Sequence, residues 1–381
     1  MPRIKAGGLI QGRGMEYVDD RCIHVSEEGV IESIESHSTC TGNYIGSSRF
    51  ILIPQPANSH THLADWIIPE YGTQMSLSEL VAPPDGLKHR YLRKLGTDEK
   101  IHGYTEALNY VSTTGSGLVI DYREEGADGC RIARNAYEKS KFKRYGTLKL
   151  LGRPSGSKGF KEEILEVLNT CDGLGLSSPL DYSEEELKIL STMKREDTII
   201  SAHIAETPLT RSKGDLELLL QHVKPHFIVH GTFLKPDDLD ELREQGTPIA
   251  VCPRSVMFHS NGIPPIKEFY THRIQVIIGS DNAAWLTPDP WRDAEQVYYI
   301  GRSQGLKDVE FEKWILYGLF IAPYETIGVT PPVIEEGLPL HGLLIDGEDT
   351  GILPAQNKYA GILKRVDRSA VKGVISGTGM L

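Results

Sequence analysis

The residues of this chain best spaced for chemistry are His60 and His62, in the stretch RFILIPQPANSHTHLADW from Arg49 to Trp66. The apolar run Phe50 to Ile53 reads as a strand that leads through a proline-stiffened segment into His60-Thr61-His62. Residues two apart on an extended chain point to the same face, so both imidazoles would aim at one spot. Imidazole ligates zinc, iron and other divalent metals, and two rings at one strand end make half of a metal site. Taken alone, the pair reads equally well as two surface histidines, so further ligands must come from elsewhere. The candidates are His203 in IISAHIAET, His230 in FIVHGT and Asp281 in VIIGSDNAA, each placed directly after a short apolar run. Singly, either histidine has a plainer reading as a hydrogen-bonded polar residue, and Asp281 as the cap of a following helix. Glu206 lies three residues after His203 and would project to the same side if that segment turns helical. Its plainer reading is a helix N-terminal acid favoured by the dipole.

The elements that must carry these residues alternate along the chain. Residues 1 to about 55 read as short strands, Gly8 to Ile10, Cys22 to Val25 and Val30 to Ile34, separated by turn residues such as Gly12, Gly14 and Gly29. Residues 63 to 95 read as a long loop with one or two helices, the kind of excursion that serves as a lid or binding element. From about residue 98 helices and buried strands alternate. The helices are Thr97 to Ser112, Asp128 to Lys139, Phe160 to Leu168, Ser183 to about Lys194, Asp215 to His222 and Asp237 to Glu244. The intervening strands are Gly117 to Asp121, Thr147 to Leu151, Gly173 to Leu176, Thr198 to Ser201, Phe227 to Val229, Pro248 to Val251 and Ile274 to Ile278. Ser183 and Glu186 have the spacing of a capping box.

With the run at Phe50 these make eight strands, nearly all apolar without alternation, as expected when both faces are buried. Eight such strands with intervening helices predict a parallel (β/α)8 barrel, in which a site gathers at the C-terminal strand ends. An open, doubly wound sheet is the alternative at the level of periodicity. The candidate ligands decide for the barrel, because they fall at matching ends of strands one, five, six and eight. Two further helices, Pro288 to Arg302 and Asp308 to Ile321, precede a return to short strands at Gly342 to Ile345, Tyr359 to Leu363 and Val371 to Ile375. These should join the N-terminal strands in a small β-sandwich, giving a sandwich domain of residues 1–55 and 326–381 beside a barrel of residues 56–325.

Composition bounds the function. The chain has 381 residues, 39% hydrophobic and 24% charged, with a formal net charge of -11. That acidity argues against a nucleic-acid partner, whose nonspecific attraction needs a basic surface. No apolar run is long enough to span a bilayer, and the start MPRIKAGGLIQGRG lacks the apolar core of a signal peptide, so a soluble, cytoplasmic protein is expected. The five cysteines, Cys22, Cys40, Cys130, Cys171 and Cys252, form no Cys-X-X-Cys pair. They read as reduced, mostly buried thiols, so a metal must use nitrogen and oxygen ligands.

The His60-X-His62 pair, the HIAE of His203 to Glu206, His230 and the GSD of Gly279 to Asp281 together resemble the amidohydrolase superfamily, in its metal-dependent deaminase and chlorohydrolase branch. The resemblance spans the chain, since that family sets a small sandwich built from both termini beside its barrel. It implies His60, His62, His203 and Asp281 as ligands of one divalent metal, zinc first, with iron or manganese as alternatives. Three imidazoles and a carboxylate leave an open position, where a water loses its proton near neutral pH and becomes a nucleophile. Glu206 would then shuttle protons, His230 orient the nucleophile or polarise the substrate, and Asp281 accept the water's first proton. Zinc deaminases acting on nucleobases divide the labour in the same way on another scaffold.

This chain departs from the family at three places. Pro54-Gln55-Pro56 stands where Pro-Gly-Phe is usual, and Cys252-Pro253-Arg254-Ser255-Val256 stands where many members carry Cys-Pro-X-Ser-Asn. The end of strand four is Leu176-Ser177-Ser178, without the carboxylated lysine of binuclear relatives, and Lys149 inside strand three reads as structural, so one metal is expected.

The expected activity is an aminohydrolase that removes an amino group from a nitrogen heterocycle such as a purine, pyrimidine, pterin or triazine. A cyclic amide hydrolase or chlorohydrolase of the same superfamily is the alternative, and a noncatalytic scaffold barrel a remote third reading. Arg153, after strand three, is the substrate-binding candidate through a bidentate pair with a carboxylate or carbonyl, with a salt bridge between loops as its plainer reading. Arg123, Glu124, Lys88 and His89 are nearby candidates, and the remaining histidines are assigned no role. The partner is a small molecule, with a homodimer as a plausible assembly.

Overall fold

The computed structural model describes residues 3–156, 159–193, 197–377 and 379–380, and its strands fall into two sheets. The chain opens with β1 (Arg3–Gln11), β2 (Glu16–Val25), β3 (Ile31–Ser36) and β4 (Ile45–Pro54). The barrel strands follow as β5 (Ala57–His62), β6 (Leu118–Arg123), β7 (Thr147–Gly152), β8 (Gly173–Leu176), β9 (Ile199–Ile204), β10 (Phe227–His230), β11 (Ile249–Val251), β12 (Val276–Ile278) and β13 (Asp281–Asn282). Last come β14 (His341–Asp346), β15 (Val371–Ser376) and β16 (Gly379–Met380).

Both termini meet in one seven-stranded sheet of order β16-β15-β14-β4-β1-β2-β3, mostly antiparallel, with β1 and β4 parallel. The run Phe50 to Ile53, expected to be the first barrel strand, lies instead in β4 at the centre of this terminal sheet, paired to β1 and β14. Pro54 and Pro56 lack the N–H that a ladder needs, so the chain leaves one sheet there and enters the other. The first barrel strand is β5, whose polar Asn58, Ser59, His60 and Thr61 are fully buried and carry no apolar pattern to announce a strand.

The second sheet runs β5 to β12 with every neighbouring pair parallel. Two residues after β12, β13 pairs with β5, and that closes the ring into a barrel. Gly279 forms the seam, its N–H donating to Val251 O at 3.0 Å and that of Ser280 donating to His60 O at 3.1 Å. Alternate residues of each strand face opposite ways. Leu118, Ile120, Tyr122, Phe227, Val229, Ala250 and Ile277 fill the interior, while Val119, Ile228, Val251 and Ile278 pack outward against helices. The layer of helices follows the sequence reading closely, with Phe160–Leu168 and Asp215–His222 beginning and ending as expected. Ser183 and Glu186 form the expected reciprocal cap, at 2.8 and 3.3 Å, on the helix Glu184–Met193; the expected end at Lys194 lies outside the described residues.

The excursion after β5 contains α1 (Leu77–Val81) and α2 (Leu87–Leu92) before α3 (Thr97–Ser112) resumes the barrel. Ser76 and Glu79 cap α1 reciprocally, and Leu80 packs with Ile68, Ala284 and Trp285 over the barrel mouth. Two expectations are corrected. Tyr359 to Leu363, read as a strand, is part of the helix Lys358–Arg365, started by the Asn357 side chain accepting from Ala360 N at 3.0 Å. Its Ala360, Ile362 and Leu363 form one buried helical face, which a five-residue apolar run does not distinguish from a strand. The cysteines are not all thiols either. Cys22 pairs with Cys40 and Cys130 with Cys171 in disulfides, across Cα separations of 5.5 and 6.0 Å, leaving Cys252 free and buried. The pairing is set by the β2–β3 hairpin and by the packing of adjacent helices, neither of which leaves a spacing motif.

Candidate metal centre

Strand ends from across the barrel bring His60, His62, His203 and Asp281 together, each offering a ligand atom within 4.8 Å of the others. Asp281 Oδ1 lies 3.2 Å from His60 Nε2 and 3.6 Å from His62 Nε2. The outer nitrogens are held by the protein: His62 Nδ1 is 3.1 Å from Glu124 Oε1, and His203 Nδ1 is 2.9 Å from Leu176 O. Such contacts fix the tautomer and leave Nε2 of each ring for a metal. Neither ring nitrogen of the fully buried His60 makes a hydrogen bond, an arrangement that costs stability unless something else takes the lone pair. The donor set and this orphaned imidazole both fit a divalent cation.

The backbone contributes to the aim. His230 and Asp281 have φ of 71° and 62°, and Ala205, between His203 and Glu206, has 49°. Non-glycine residues in this region are strained by about 1–3 kcal/mol each, and here they turn side chains at three strand ends toward one point. Ser255, on the short helix after β11, donates to Asp281 Oδ2 and so leaves Oδ1 facing the imidazoles.

Electrostatics keep the imidazoles neutral. Burial holds His60, His203 and His230 below the ordinary range, and burial together with the Lys88 ammonium lowers His62 to about 3. Burial acts to raise Asp281, but the closeness of His60 and the other imidazoles holds its carboxyl well below the usual range. Glu206 is displaced the other way, to about 8, by burial and then by the charge of Asp281. Its Oε1 lies 3.6 Å from His230 Nε2, and the buried Nδ1 of His230 has no partner. Two carboxyl groups with oppositely displaced pKa values at one site suit a charged ligand and a proton carrier.

A cavity of about 830 Å³ opens onto this cluster, bounded by His62, His203, Glu206, His230 and Asp281 on its floor. Met75, Leu77 and Val81 of the α1 segment form one wall, and Leu209 and Phe258 are among the residues completing the lining. Arg153 lines it too, with its guanidinium 3.4 Å from Glu124 Oε1, so a place on the cavity wall and the inter-loop ion pair occur together. Lys88 is buried beside the cavity, whereas His89 turns away to Val81 O at 3.1 Å. Arg123 is buried in ion pairs with Asp121 and Glu124, and Lys149 pairs outside the site with Asp172.

Three contributors escaped the sequence reading. His259, assigned no role, lines the cavity and meets Trp285 edge-on at 5.3 Å. Asn261, five residues beyond Val256, lines the cavity, and its buried Nδ2 has no partner. Tyr122 stacks its ring edge against His60 at 4.4 Å from inside the barrel. Alternation marks Tyr122 as inward-facing, but no sequence signal separates His259 or Asn261 from ordinary loop residues.

The pattern of the Amidohydrolase family matches residues 51–305. An uncharacterized protein of Methanocaldococcus jannaschii is 31% identical over 296 residues, covering 72% of this chain and 74% of that one. A 5-methylthioadenosine/S-adenosylhomocysteine deaminase of Pyrococcus horikoshii is 27% identical over 306 residues, covering 73% and 70%. Among solved structures, the atrazine chlorohydrolase of Arthrobacter aurescens complexed with zinc superposes with a TM-score of 0.83 at 15% identity, covering 100% of this chain and 95% of that one.

Proposed function

The chain belongs to the amidohydrolase family, and from that premise we propose that it is a zinc-dependent aminohydrolase that deaminates a nitrogen heterocycle. The observation that carries the reading is the convergence of His60, His62, His203 and Asp281 on one point, with Glu206 facing the same cavity. A divalent ion held by these four would supply the Lewis acidity that lowers the pKa of water toward about 7.

The protein's own groups do the rest. Glu206, whose carboxyl is raised to about 8 and therefore carries a proton, delivers that proton to the ring nitrogen, while Asp281, held charged, accepts the first proton of the attacking water. His230, whose Nε2 lies 3.6 Å from Glu206 Oε1 in the cavity lining, holds the developing oxygen of the attacked carbon. Water replaces the amino group: the proton taken by Asp281 passes to the amine, which leaves as ammonia, and the hydroxyl proton of the attacked carbon returns to Glu206 as the carbonyl forms. Arg153 and Asn261 on the cavity wall orient the substrate's polar groups.

The cavity is within the range for a ligand larger than a single ring. That size and the name of the Pyrococcus horikoshii relative support testing purine nucleosides such as 5-methylthioadenosine first within the purine class. The fold shared with a chlorohydrolase keeps halide displacement as the second reading. The test is release of ammonia from a panel of purines and their nucleosides, pyrimidines, pterins and triazines by zinc-loaded protein, with chloride measured on chlorinated triazines. Ammonia from one class supports deamination. Chloride without ammonia would replace it with the second reading.

A further inference from the structure

Lys88 is a buried cation within the excursion over the barrel mouth. It sits on α2, a helix of six residues between β5 and α3, yet its ammonium is buried beneath the excursion. Nζ lies 2.7 Å from Glu124 Oε1 and 3.1 Å from Asp65 Oδ2. Both carboxylates are themselves buried, so each needs this cation or another partner to tolerate its place.

Each of the two acids also reaches the ligand set. Glu124 Oε1, the oxygen that Lys88 contacts, is the one 3.1 Å from His62 Nδ1. Asp65 Oδ2 accepts from Asn282 Nδ2 at 2.7 Å, and Asn282 adjoins Asp281 in β13. The ammonium therefore touches two branches that end at two different ligands, one on β5 and one on β13, the strands that close the barrel. Arg123 also pairs with Glu124, through Oε2, but it belongs to the barrel wall and does not tie down the excursion.

We propose that Lys88 is a latch, a positioning residue that couples seating of the α1–α2 segment to the retention of the metal. The proposal rests on the metal reading of the four-residue cluster. With Lys88 seated, Glu124 is held where it orients His62, and Asp65 is held where it anchors Asn282. With the segment lifted, Asp65 keeps only the Asn282 amide and Glu124 loses its nearest cation. Coupling of this kind is reciprocal: if the latch tightens metal binding by some factor, the metal must favour the seated segment by the same factor.

The experiment uses the full chain and zinc alone. Zinc affinity is measured by competition with a chromophoric chelator for wild type, Lys88→Met and Lys88→Arg, and trypsin cleavage is followed at Arg90, Arg93 and Lys94, which are exposed. Lys88→Met should bind zinc about 10–100-fold more weakly, the usual effect of losing a residue that supports a ligand, and Lys88→Arg should recover part of the loss. In wild type, saturating zinc should slow cleavage at these three sites by a similar factor, because cleavage follows the population of the opened segment. In Lys88→Met, zinc at saturation should no longer protect them. Unchanged affinity in Lys88→Met would overturn the latch. Wild-type cleavage indifferent to zinc would overturn it as well, and that arm stands even if the variant does not fold. Wild type that takes up no zinc would remove the metal reading itself, and the latch with it.

Discussion

Glu206 and His230 face each other across 3.6 Å beside the ligand cluster, where burial and the charge of Asp281 raise the Glu206 carboxyl while the neighbouring imidazoles hold that of Asp281 low. Asp281 sits against imidazoles and the Ser255 hydroxyl, whereas Glu206 has burial and a like charge acting on it. Replacing Glu206 with glutamine keeps the shape and removes the proton carrier. Glu206→Gln should therefore retain zinc at wild-type stoichiometry and lose about 10²–10⁴-fold in turnover, measured as ammonia release on the substrate found by the panel. At this scale His203 and Asp281 are legible in the sequence because each follows a short apolar run, where a barrel presents its chemistry, and His60 and His62 are legible through their His-X-His spacing, since β5 itself has no apolar run. Ser255, Glu124 and Asn261 were not legible as supports, because their meaning depends on partners 26 or more residues away or on an orphaned atom visible only in three dimensions.

The elements most decisive for the site are the two that close the barrel. Gly279 lies in the seam between β12 and β13, and a Cβ there would stand 2.9 Å from His60 Cβ and 3.0 Å from both His60 N and Cys252 Sγ. The β5 backbone cannot move aside without carrying His60 with it. Gly279→Ala should lower the thermal stability of the protein by about 1–3 kcal/mol, the usual cost of overpacking, and weaken zinc binding at the same time. A calorimetric scan and a chelator competition on one preparation check both; loss of stability with unchanged zinc affinity would mean that the seam does not set the His60 position. Periodicity located the longer helices and the apolar strands of the ring to within about three residues, as with Thr198 to Ser201 for Ile199–Ile204, but not the short helices Pro208–Ser212, Pro253–Phe258 and Ile266–Thr271. It misassigned the step from the terminal sheet into the barrel because β5 is built of buried polar residues, while β4 beside it supplies the apolar run a barrel strand should have. The helix at Lys358–Arg365 was misread for a related reason, since one buried helical face in five residues looks like a strand.

At the scale of the molecule, the terminal sheet and the barrel are joined through Pro54 to Pro56, so only two residues separate the strand that carries His60 and His62 from the central strand of the other sheet. Each disulfide ties neighbouring elements, one within the terminal sheet and one behind β7, where the Cys130 and Cys171 sulfurs leave Gly152 no room for a side chain. Among the described residues no helix is long and apolar enough to cross a membrane. Four residues scattered over more than two hundred positions converge where they would hold one cation. A protein with such a site is stabilised by its metal by about 2.7 kcal/mol at a hundredfold excess over Kd, but stability alone does not locate the ion. The direct measurement is zinc content per chain after loading and exhaustive dialysis, for wild type and for His203→Ala. One zinc per wild-type chain and near none in His203→Ala is the predicted result; equal zinc in the two proteins, or none in the wild type, would contradict it.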